Sequence, residues 1–209
     1  MAEVWFIRHG ESISNANLPT KHPELSELTP KGHEEAKQVV AAFTKAPDLI
    51  VVSSYVRARE TAVSTINHFP TVPVEEWPVH EFTYLHPERY NGTTGSDRRP
   101  TAMSYWQRND PFENEDGGGE SFAELMARTE SLIARFEQHP APFIAVFTHG
   151  LFMRALIWML LTGIREPSAK AMQRYSHFTQ AVQVPNGGIL KATFEAGKSV
   201  RFSGIFDSV

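Results

Sequence analysis

Two histidines in the sequence each precede a glycine and lie just beyond a run of apolar residues. His9 follows the run Val4–Ile7 and Arg8, and His149 lies just beyond the run Phe143–Phe147. Short apolar runs of this kind are typical of buried strands. The carboxyl ends of parallel strands meet at the edge of a sheet where ligands bind. We therefore expect His9 and His149 to lie close together.

A third apolar run, Leu49–Val52, leads to the same predicted edge. Ser53 and Ser54 follow it, and we expect them to cap a helix that carries Arg57 in its first turn. Guanidinium groups bind phosphate oxygens through paired N–H donors, and helix N-termini add further donors for an anion. Two histidines and two arginines at one edge predict a cationic pocket for a phosphoryl group, with a neutral imidazole as nucleophile.

A zinc site is the competing interpretation of paired histidines. The sequence contains 9 histidines and no cysteine. No pair of histidines has the His-x-x-x-His spacing with a partner carboxylate, so we expect no metal and no cofactor. The lack of cysteine also excludes disulfides and a cysteine nucleophile.

The composition is that of an ordinary globular protein. With 209 residues, 41% of them hydrophobic and 21% charged, the chain is predicted to form one domain over residues 1–209. With a net charge of −4, the chain lacks the excess of basic residues that is typical of proteins that bind nucleic acid or an anionic membrane. The first residues lack signal-peptide features, and the longest apolar stretch, Leu151–Leu161, is interrupted by Arg154 and too short to span a membrane. We expect a cytoplasmic protein with no nucleic-acid or membrane partner.

Strands and helices are predicted to alternate along the chain. Helices are predicted from Thr29-Pro30, over Tyr55–Asn67, from Ser121 with its capping-box partner Glu124, and over Leu151–Leu161. Further strands are predicted near Val72–Glu76 and over Ala181–Val184, Ile189–Phe194 and Val200–Phe206. This alternation predicts an α/β protein, a three-layer α/β/α sandwich around a mostly parallel sheet.

The segment 77–119 has no sustained periodicity and is rich in proline, glycine and aromatic residues. Such a long irregular stretch is typical of a functional loop, and we predict a lid-like insertion over the site. Arg98 and Arg99 in this segment could bind a carboxylate or a second phosphate, although an exposed pair is the simpler expectation. Its aromatic residues could stack on a substrate or cover a small core of the lid.

Four blocks of sequence, in order, resemble the signature of the histidine phosphatase superfamily, also called the phosphoglycerate mutase-like family. They are Arg8-His9-Gly10-Glu11-Ser12 with Asn15, Ser54-Tyr55-Val56-Arg57-Ala58-Arg59-Glu60-Thr61-Ala62, Gly119-Glu120-Ser121 and Thr148-His149-Gly150. The resemblance covers the chain from Val4 to about Leu160. It implies that His9 is the nucleophile that becomes phosphorylated. It also implies that Arg8, Arg57 and His149 bind the phosphoryl oxygens, with Asn15 assisting.

The resemblance further implies a general acid, a Glu or Asp between the second and third blocks. Glu81 is the first choice, because the residues 77–81 resemble the family's segment leading to that acid, and Glu88 is the alternative. The glycine-rich stretch that usually follows the acid is replaced here by Phe82-Thr83-Tyr84-Leu85. The cationic surroundings are expected to lower the pKa of His9, and bound phosphate to raise that of His149.

These features predict a metal-independent phosphatase that hydrolyses a phosphomonoester, on a small molecule or a phosphopeptide, through phosphohistidine on His9. Two alternatives stay open. The first is a phosphoglycerate mutase, which would need more anion-binding groups than the scattered arginines of the segment 77–119 provide. The second is a non-catalytic protein that binds a phosphorylated ligand in the same pocket. Among the other histidines, His22, His33, His68, His86 and His139 are expected to be solvated, and His80 and His177 are weaker candidates for substrate contact.

Overall fold

The middle layer of the fold is a six-stranded sheet. A computed structural model describes residues 1–206, with side chains to residue 203. The strands are β1 (Ala2–Arg8), β2 (Leu49–Val52), β3 (Val74–Glu76), β4 (Phe143–Thr148), β5 (Ile189–Phe194) and β6 (Arg201–Phe206). Their order is β3-β2-β4-β1-β5-β6. The pairs from β3 to β1 are parallel, whereas β5 runs antiparallel to β1 and β6, so the predicted mostly parallel sheet is confirmed.

Helices cover both faces of this sheet. They are α1 (Pro30–Ala41), α2 (Val56–His68), α3 (Gly95–Arg108), α4 (Phe122–Gln138), α5 (Gly150–Thr162) and α6 (Ala169–Ala181). Successive side chains of a strand point to opposite faces. Phe6 accordingly packs in one core cluster with residues of α4, α5 and α6, and Ile7 packs in the other with residues of α1 and α2. This arrangement confirms the three-layer sandwich.

Two helix starts follow the predicted capping chemistry. The Thr29 side chain accepts a hydrogen bond from the Gly32 N–H at the start of α1 (3.1 Å). At the start of α4, Ser121 Oγ accepts from the Glu124 N–H (3.2 Å), and the Glu124 carboxylate accepts from the Ser121 N–H (2.8 Å). These bonds satisfy N–H groups that have no partner within the helix.

Two helices were not predicted. The strand expected over Ala181–Val184 is wrong: α6 ends at Ala181, and the residues after it form no strand before β5. Within the segment 77–119, α3 occupies Gly95–Arg108 and starts with a capping box between Thr94 and Asp97. Pro100 inside α3 conceals the helical pattern, because proline removes a backbone donor and normally breaks a helix.

The ends of the other elements lie within one or two residues of the prediction. The prediction that Ser53 or Ser54 caps α2 is wrong. Tyr55 is the N-cap residue and makes no side-chain capping bond, while Ser53 Oγ accepts from the Tyr55 N–H (3.2 Å). In the described residues, no helix is both long and apolar enough to cross a membrane.

Candidate active site

The two histidines meet at the carboxyl edge of the sheet. β1 and β4 are parallel neighbours in which Arg8 pairs with Thr148, so the chain presents His9 and His149 side by side. The backbone N–H of His9 donates to the Thr148 carbonyl (3.0 Å), and the centroids of the two imidazole rings are 5.1 Å apart. Both side chains are buried. The predicted juxtaposition of His9 and His149 is confirmed.

The His9 ring has a defined tautomer. Its Nδ1 lies 2.7 Å from the Gly10 carbonyl oxygen, which can only accept, so Nδ1 carries the hydrogen. Its Nε2 accepts from Arg57 Nε at 3.0 Å. Burial, together with the nearby charges of Arg57 and Arg8, holds the pKa of His9 well below its usual range. The ring is therefore neutral, with the lone pair of Nε2 on the side of Arg57.

Two arginines give the pocket its positive charge. Arg57 is buried, donates from Nη1 to the Pro23 carbonyl (2.6 Å), and has its guanidinium over the Tyr55 ring. Arg8 donates from Nη1 to the Val184 carbonyl, and its Nε is buried with no hydrogen-bond partner among the described residues. A buried unpaired donor is costly. An anionic ligand that accepted a hydrogen bond from the Arg8 Nε–H would remove this cost.

His149 is held in place from the neighbouring strand end. Its Nε2 is hydrogen-bonded to Ser53 Oγ (2.8 Å), while its Nδ1 is buried without a partner in the part of the chain described. Burial, assisted by the charge of Arg57, holds the pKa of His149 well below its usual value. A bound phosphate would oppose this effect, because an anion favours the imidazolium.

Glu81 lies at the N-terminus of α5, the helix that begins directly after His149. Its Oε1 accepts from the backbone N–H groups of Leu151 (3.0 Å) and Phe152 (3.1 Å). Glu81 and Arg57 line one cavity of about 250 Å³. Glu88, the alternative acid, is exposed and is not among the residues that line this cavity. Of the two acids weighed from the sequence, Glu81 is the one beside the histidine pocket.

Asn15 contributes to the loop after β1. Its Oδ1 accepts from the Ser12 N–H (3.2 Å), from Ser12 Oγ (3.0 Å) and from the Asn186 side chain (3.0 Å). The Asn186 amide also donates to the His9 carbonyl (3.1 Å). Asn15 is exposed, and its amide oxygen stabilises the loop that carries His9 through these hydrogen bonds.

Arg154 is a neighbour of the pocket that sequence reasoning missed. It donates from Nε to the Gly150 carbonyl (3.0 Å). A Cβ at Gly150 would lie 3.1 Å from Arg8 Nε and 3.2 Å from Arg154 Nη2, so both guanidinium groups border this glycine. The only signal in the sequence is a single arginine inside the apolar stretch Leu151–Leu161.

The remaining histidines are partly as predicted. His33 and His68 are exposed, whereas His22, His86 and His139 are half-buried and therefore only partly in contact with solvent. His86 lines the same cavity as Glu81. His80 stacks on Tyr55 and borders a neighbouring cavity, and burial lowers its pKa to about 4. His177 lines a cavity formed by α3 and α6 that contains none of the predicted site residues.

Two glycines allow the loop that carries His9 to lie against α1. A Cβ at Gly32 would lie 2.1 Å from the Glu11 carbonyl oxygen, and a Cβ at Gly10 would lie 2.4 Å from the Gly32 carbonyl oxygen. Alanine in a helix is normally favoured over glycine by about 0.5–1 kcal/mol. Gly32→Ala is nevertheless expected to destabilise the protein by about 1–3 kcal/mol, because backbone atoms must move. Urea unfolding measures this.

Gly95→Ala is the matched control for that substitution. A Cβ there would meet only the Asn17 side-chain oxygen, at 3.2 Å. We expect a change in the free energy of unfolding of about 0.5 kcal/mol or less. A Gly32→Ala protein as stable as the wild type would contradict the close approach of loop and helix.

The protonation of His9 is testable without turnover. In the wild type, the His9 ring is expected to stay neutral at pH 6.5, since burial and the charges of Arg57 and Arg8 lower its pKa. Arg57→Met removes one of these positive charges and is expected to raise the pKa of His9. NMR titration of the labelled imidazoles measures both values. A wild-type His9 that titrates at the usual histidine value would contradict the neutral ring.

Comparison with known proteins gives the family. Residues 4–194 match the model of the histidine phosphatase superfamily, branch 1, and the chain belongs to this family. No curated protein sequence matches the chain.

Solved structures share the fold. The α-ribazole phosphatase from Shigella flexneri has a TM-score of 0.74 at 22% identity, with 98% of this chain and 96% of that chain covered. A phosphoserine phosphatase from Entamoeba histolytica, in complex with 3-phosphoglyceric acid, has a TM-score of 0.73 at 20% identity (98% and 96% covered). A mycobacterial glucosyl-3-phosphoglycerate phosphatase has a TM-score of 0.71 at 23% identity, with 100% of both chains covered.

Proposed function

We propose that this protein hydrolyses phosphomonoesters through a phosphohistidine intermediate on His9. The observation that carries the proposal is the state of His9: a neutral ring with a fixed Nδ1 hydrogen, whose Nε2 lies 3.0 Å from a buried arginine. A neutral imidazole among cations can attack an anion that the same cations bind. Membership of the histidine phosphatase superfamily supports this assignment.

In the first step, His9 Nε2 attacks the phosphorus atom and the P–O bond to the leaving group breaks. The Nε–H of Arg57 exchanges its bond to His9 for one to a phosphoryl oxygen. Arg8, Arg57 and His149 stabilise the charge that spreads over the equatorial oxygens. Glu81 in its acid form donates a proton to the leaving alkoxide, which departs as an alcohol.

In the second step, the Glu81 carboxylate takes a proton from water, and the resulting hydroxide attacks the phosphorus of phosphohistidine. The P–N bond breaks, inorganic phosphate forms, and His9 returns to the neutral ring. The backbone N–H groups of Leu151 and Phe152 hold the Glu81 carboxyl group in one place for both roles. Asn15 stabilises the loop that carries His9 through its hydrogen bonds with Ser12 and Asn186.

A small phosphorylated molecule is the substrate class that we favour over a phosphopeptide. The cavity beside Arg57 and Glu81 measures about 250 Å³, which is below the range of about 300–1,000 Å³ typical of pockets for drug-sized ligands. We further propose that the segment 77–119 acts as a lid, because residues 81–87, Tyr90 and Arg98 line the cavity. Cytoplasmic location and a lack of nucleic-acid or membrane partners stay predictions.

Purified protein assayed with an aryl phosphate, with 3-phosphoglycerate and with a phosphopeptide tests this proposal. We expect release of inorganic phosphate, faster from the small esters than from the peptide, and no loss of activity with a chelator. Isomerisation of 3-phosphoglycerate in excess of its hydrolysis would instead support the mutase. Tight binding with no turnover of any ester would support the non-catalytic binder.

A further inference from the structure

The segment that carries Glu81 depends on side chains for its hydrogen bonds. β3 ends at Glu76, and residues 78–83 belong to no strand or helix. Backbone carbonyls outside regular structure need donors from other groups when they are shielded from water. The carbonyl of Val79, a buried residue, accepts from Thr148 Oγ1 (2.6 Å). This bond fixes the middle of the segment beside the end of β4.

Arg128 supplies two further bonds to the same segment. It lies on α4, and its Nη1 donates to the carbonyls of Pro78 (3.0 Å) and His80 (3.0 Å). Its guanidinium also lies over the Phe152 ring, 4.7 Å from the centroid. The Phe152 N–H is one of the donors to the Glu81 carboxyl group. Arg128 therefore contacts the residue before Glu81 as well as a residue that binds the Glu81 side chain.

Glu120 holds the Arg128 side chain in this position. Nε and Nη2 of Arg128 donate to the two carboxylate oxygens of Glu120, each at 2.8 Å, and the side chains are only 11% and 15% exposed. Two parallel bonds fix the orientation of a guanidinium as well as its distance. The Glu120 N–H also donates to the Thr83 carbonyl (2.7 Å). The pair therefore binds the chain on both sides of Glu81.

The contacts of Arg128 do not suit it for binding the reacting phosphate. It is not among the residues that line the cavity of Arg57 and Glu81, and it borders a second cavity of about 470 Å³ together with His80. A phosphate group would have to displace the Glu120 carboxylate from its guanidinium. Arg128 therefore acts on the reaction through the residues that it holds.

We propose that Arg128 is a positioning residue for the general acid, which it places through the backbone of residues 78–80 and through Phe152. The inference rests on the proposed function, because it assigns Arg128 to the two proton transfers of Glu81 and not to the attack by His9. Proton transfer requires the acid to lie within hydrogen-bond reach of the leaving oxygen. Loss of Arg128 is therefore expected to harm the steps that need Glu81 and to spare the step that does not.

Alkyl and aryl phosphates separate these steps in Arg128→Met, which keeps an unbranched side chain. We expect kcat for an alkyl phosphate to fall by about 10- to 100-fold, as for an acid displaced by about 1 Å. The burst of phenolate from an aryl phosphate is expected to keep a rate within about threefold of the wild type, because this step needs no proton from Glu81. Arg128→Lys, which keeps the charge without the fork of donors, is expected to restore part of the alkyl activity.

Arg135→Met is the matched control on the same helix. Arg135 also has a carboxylate and an aromatic partner, since it pairs with Glu75 (3.4 Å) and lies over the Trp77 ring. It is exposed, and its hydrogen bond in the described residues goes to Glu75 and not to the carbonyls that Arg128 binds. We expect the burst rate and kcat for both esters to stay within about twofold of the wild type.

A double variant excludes an effect of the carboxylate that Arg128→Met leaves unpaired. Arg128→Met with Glu120→Gln removes this charge, and its urea midpoint is expected to lie closer to that of the wild type than the midpoint of the single variant does. The loss of alkyl activity is expected to stay. Recovery of alkyl activity together with stability would assign the loss to the unpaired charge and overturn the proposal.

Two kinetic results for Arg128→Met would also refute the positioning role. Equal losses in the burst rate and in the alkyl kcat would indicate a general distortion of the pocket. An alkyl kcat within about twofold of the wild type would show that Glu81 keeps its place without Arg128.

A measurement without turnover separates this inference from the proposed function. The amide resonance of Leu151 reports on the Glu81 carboxyl group, because the Leu151 N–H donates to it. Leu151 is a better reporter than Phe152, whose ring contacts Arg128 directly. We expect Arg128→Met to shift the Leu151 resonance towards its position in Glu81→Ala, and Arg135→Met to leave it unchanged.

The two proposals fail in different ways. A shifted Leu151 resonance in Arg128→Met, in a protein whose wild type hydrolyses no ester and forms no phosphohistidine, would retain Arg128 as the residue that positions Glu81 and reject the phosphatase. An unshifted resonance would reject the positioning role, whatever the activity of the wild type.

Discussion

Replacing His9 by alanine is expected to lower kcat for every phosphomonoester by about 10⁴-fold or more, because no other group can form the covalent intermediate. His149 cannot substitute for it. The Nε2 of His149 is hydrogen-bonded to Ser53, and its ring centroid lies 5.1 Å from that of His9. Steady-state assays with an aryl phosphate and an alkyl phosphate measure the loss.

His33→Ala is the matched control for this substitution. His33 is on α1 and exposed, so the same change of residue type there is expected to leave kcat within about twofold of the wild type. Urea unfolding of both variants shows whether the fold is retained. A folded His9→Ala protein with more than about a hundredth of the wild-type kcat would contradict a nucleophilic role for His9.

Glu81→Gln is expected to have an effect that depends on the leaving group. Gln cannot donate a proton to an alkoxide, so kcat for an alkyl phosphate falls by about 10²- to 10⁴-fold. An aryl phosphate has a leaving group that needs no such proton, so the first step stays fast. The second step is slow without a general base, and we expect a burst of one phenolate per active site followed by slow turnover. Stopped-flow absorbance measures the burst.

Glu88→Gln tests the alternative acid. Glu88 is exposed and does not line the cavity, whereas Glu81 accepts two backbone hydrogen bonds at the start of α5. We expect Glu88→Gln to retain wild-type kinetics with both classes of ester. A large loss in Glu88→Gln, with normal turnover in Glu81→Gln, would reverse the assignment of the acid.

The sequence was sufficient to predict the edge of the sheet where the histidines meet. Buried parallel strands are near-continuous apolar runs, and β1, β2 and β4 have this character. The polar residues that follow such runs must lie at the carboxyl edge, which is why the sequence alone places His9, Arg57 and His149 together. The helix caps at Thr29 and Ser121 were also predictable, because capping depends only on residues within a few positions of the helix start.

The prediction failed where local signals are weak or where contacts come from distant parts of the chain. α3 is a polar helix with an internal proline, and only the Thr94 and Asp97 capping box indicates its start. The Arg98 guanidinium donates a hydrogen bond to Thr20, which is 78 residues away in sequence. Arg154 and Arg8 border the same glycine, Gly150, because α5 starts beside the end of β1. No spacing rule within the sequence reveals such pairs.

The central claim, covalent catalysis by His9, is tested most directly by trapping the phosphorylated protein. The wild type is mixed with a phosphate ester, quenched in base within milliseconds, digested and analysed by mass spectrometry. We predict a base-stable, acid-labile phosphate on His9, which accumulates further in Glu81→Gln and is absent from His9→Ala. Turnover by the wild type with no phosphate on His9 at any time point, or with the phosphate on another residue, would contradict it.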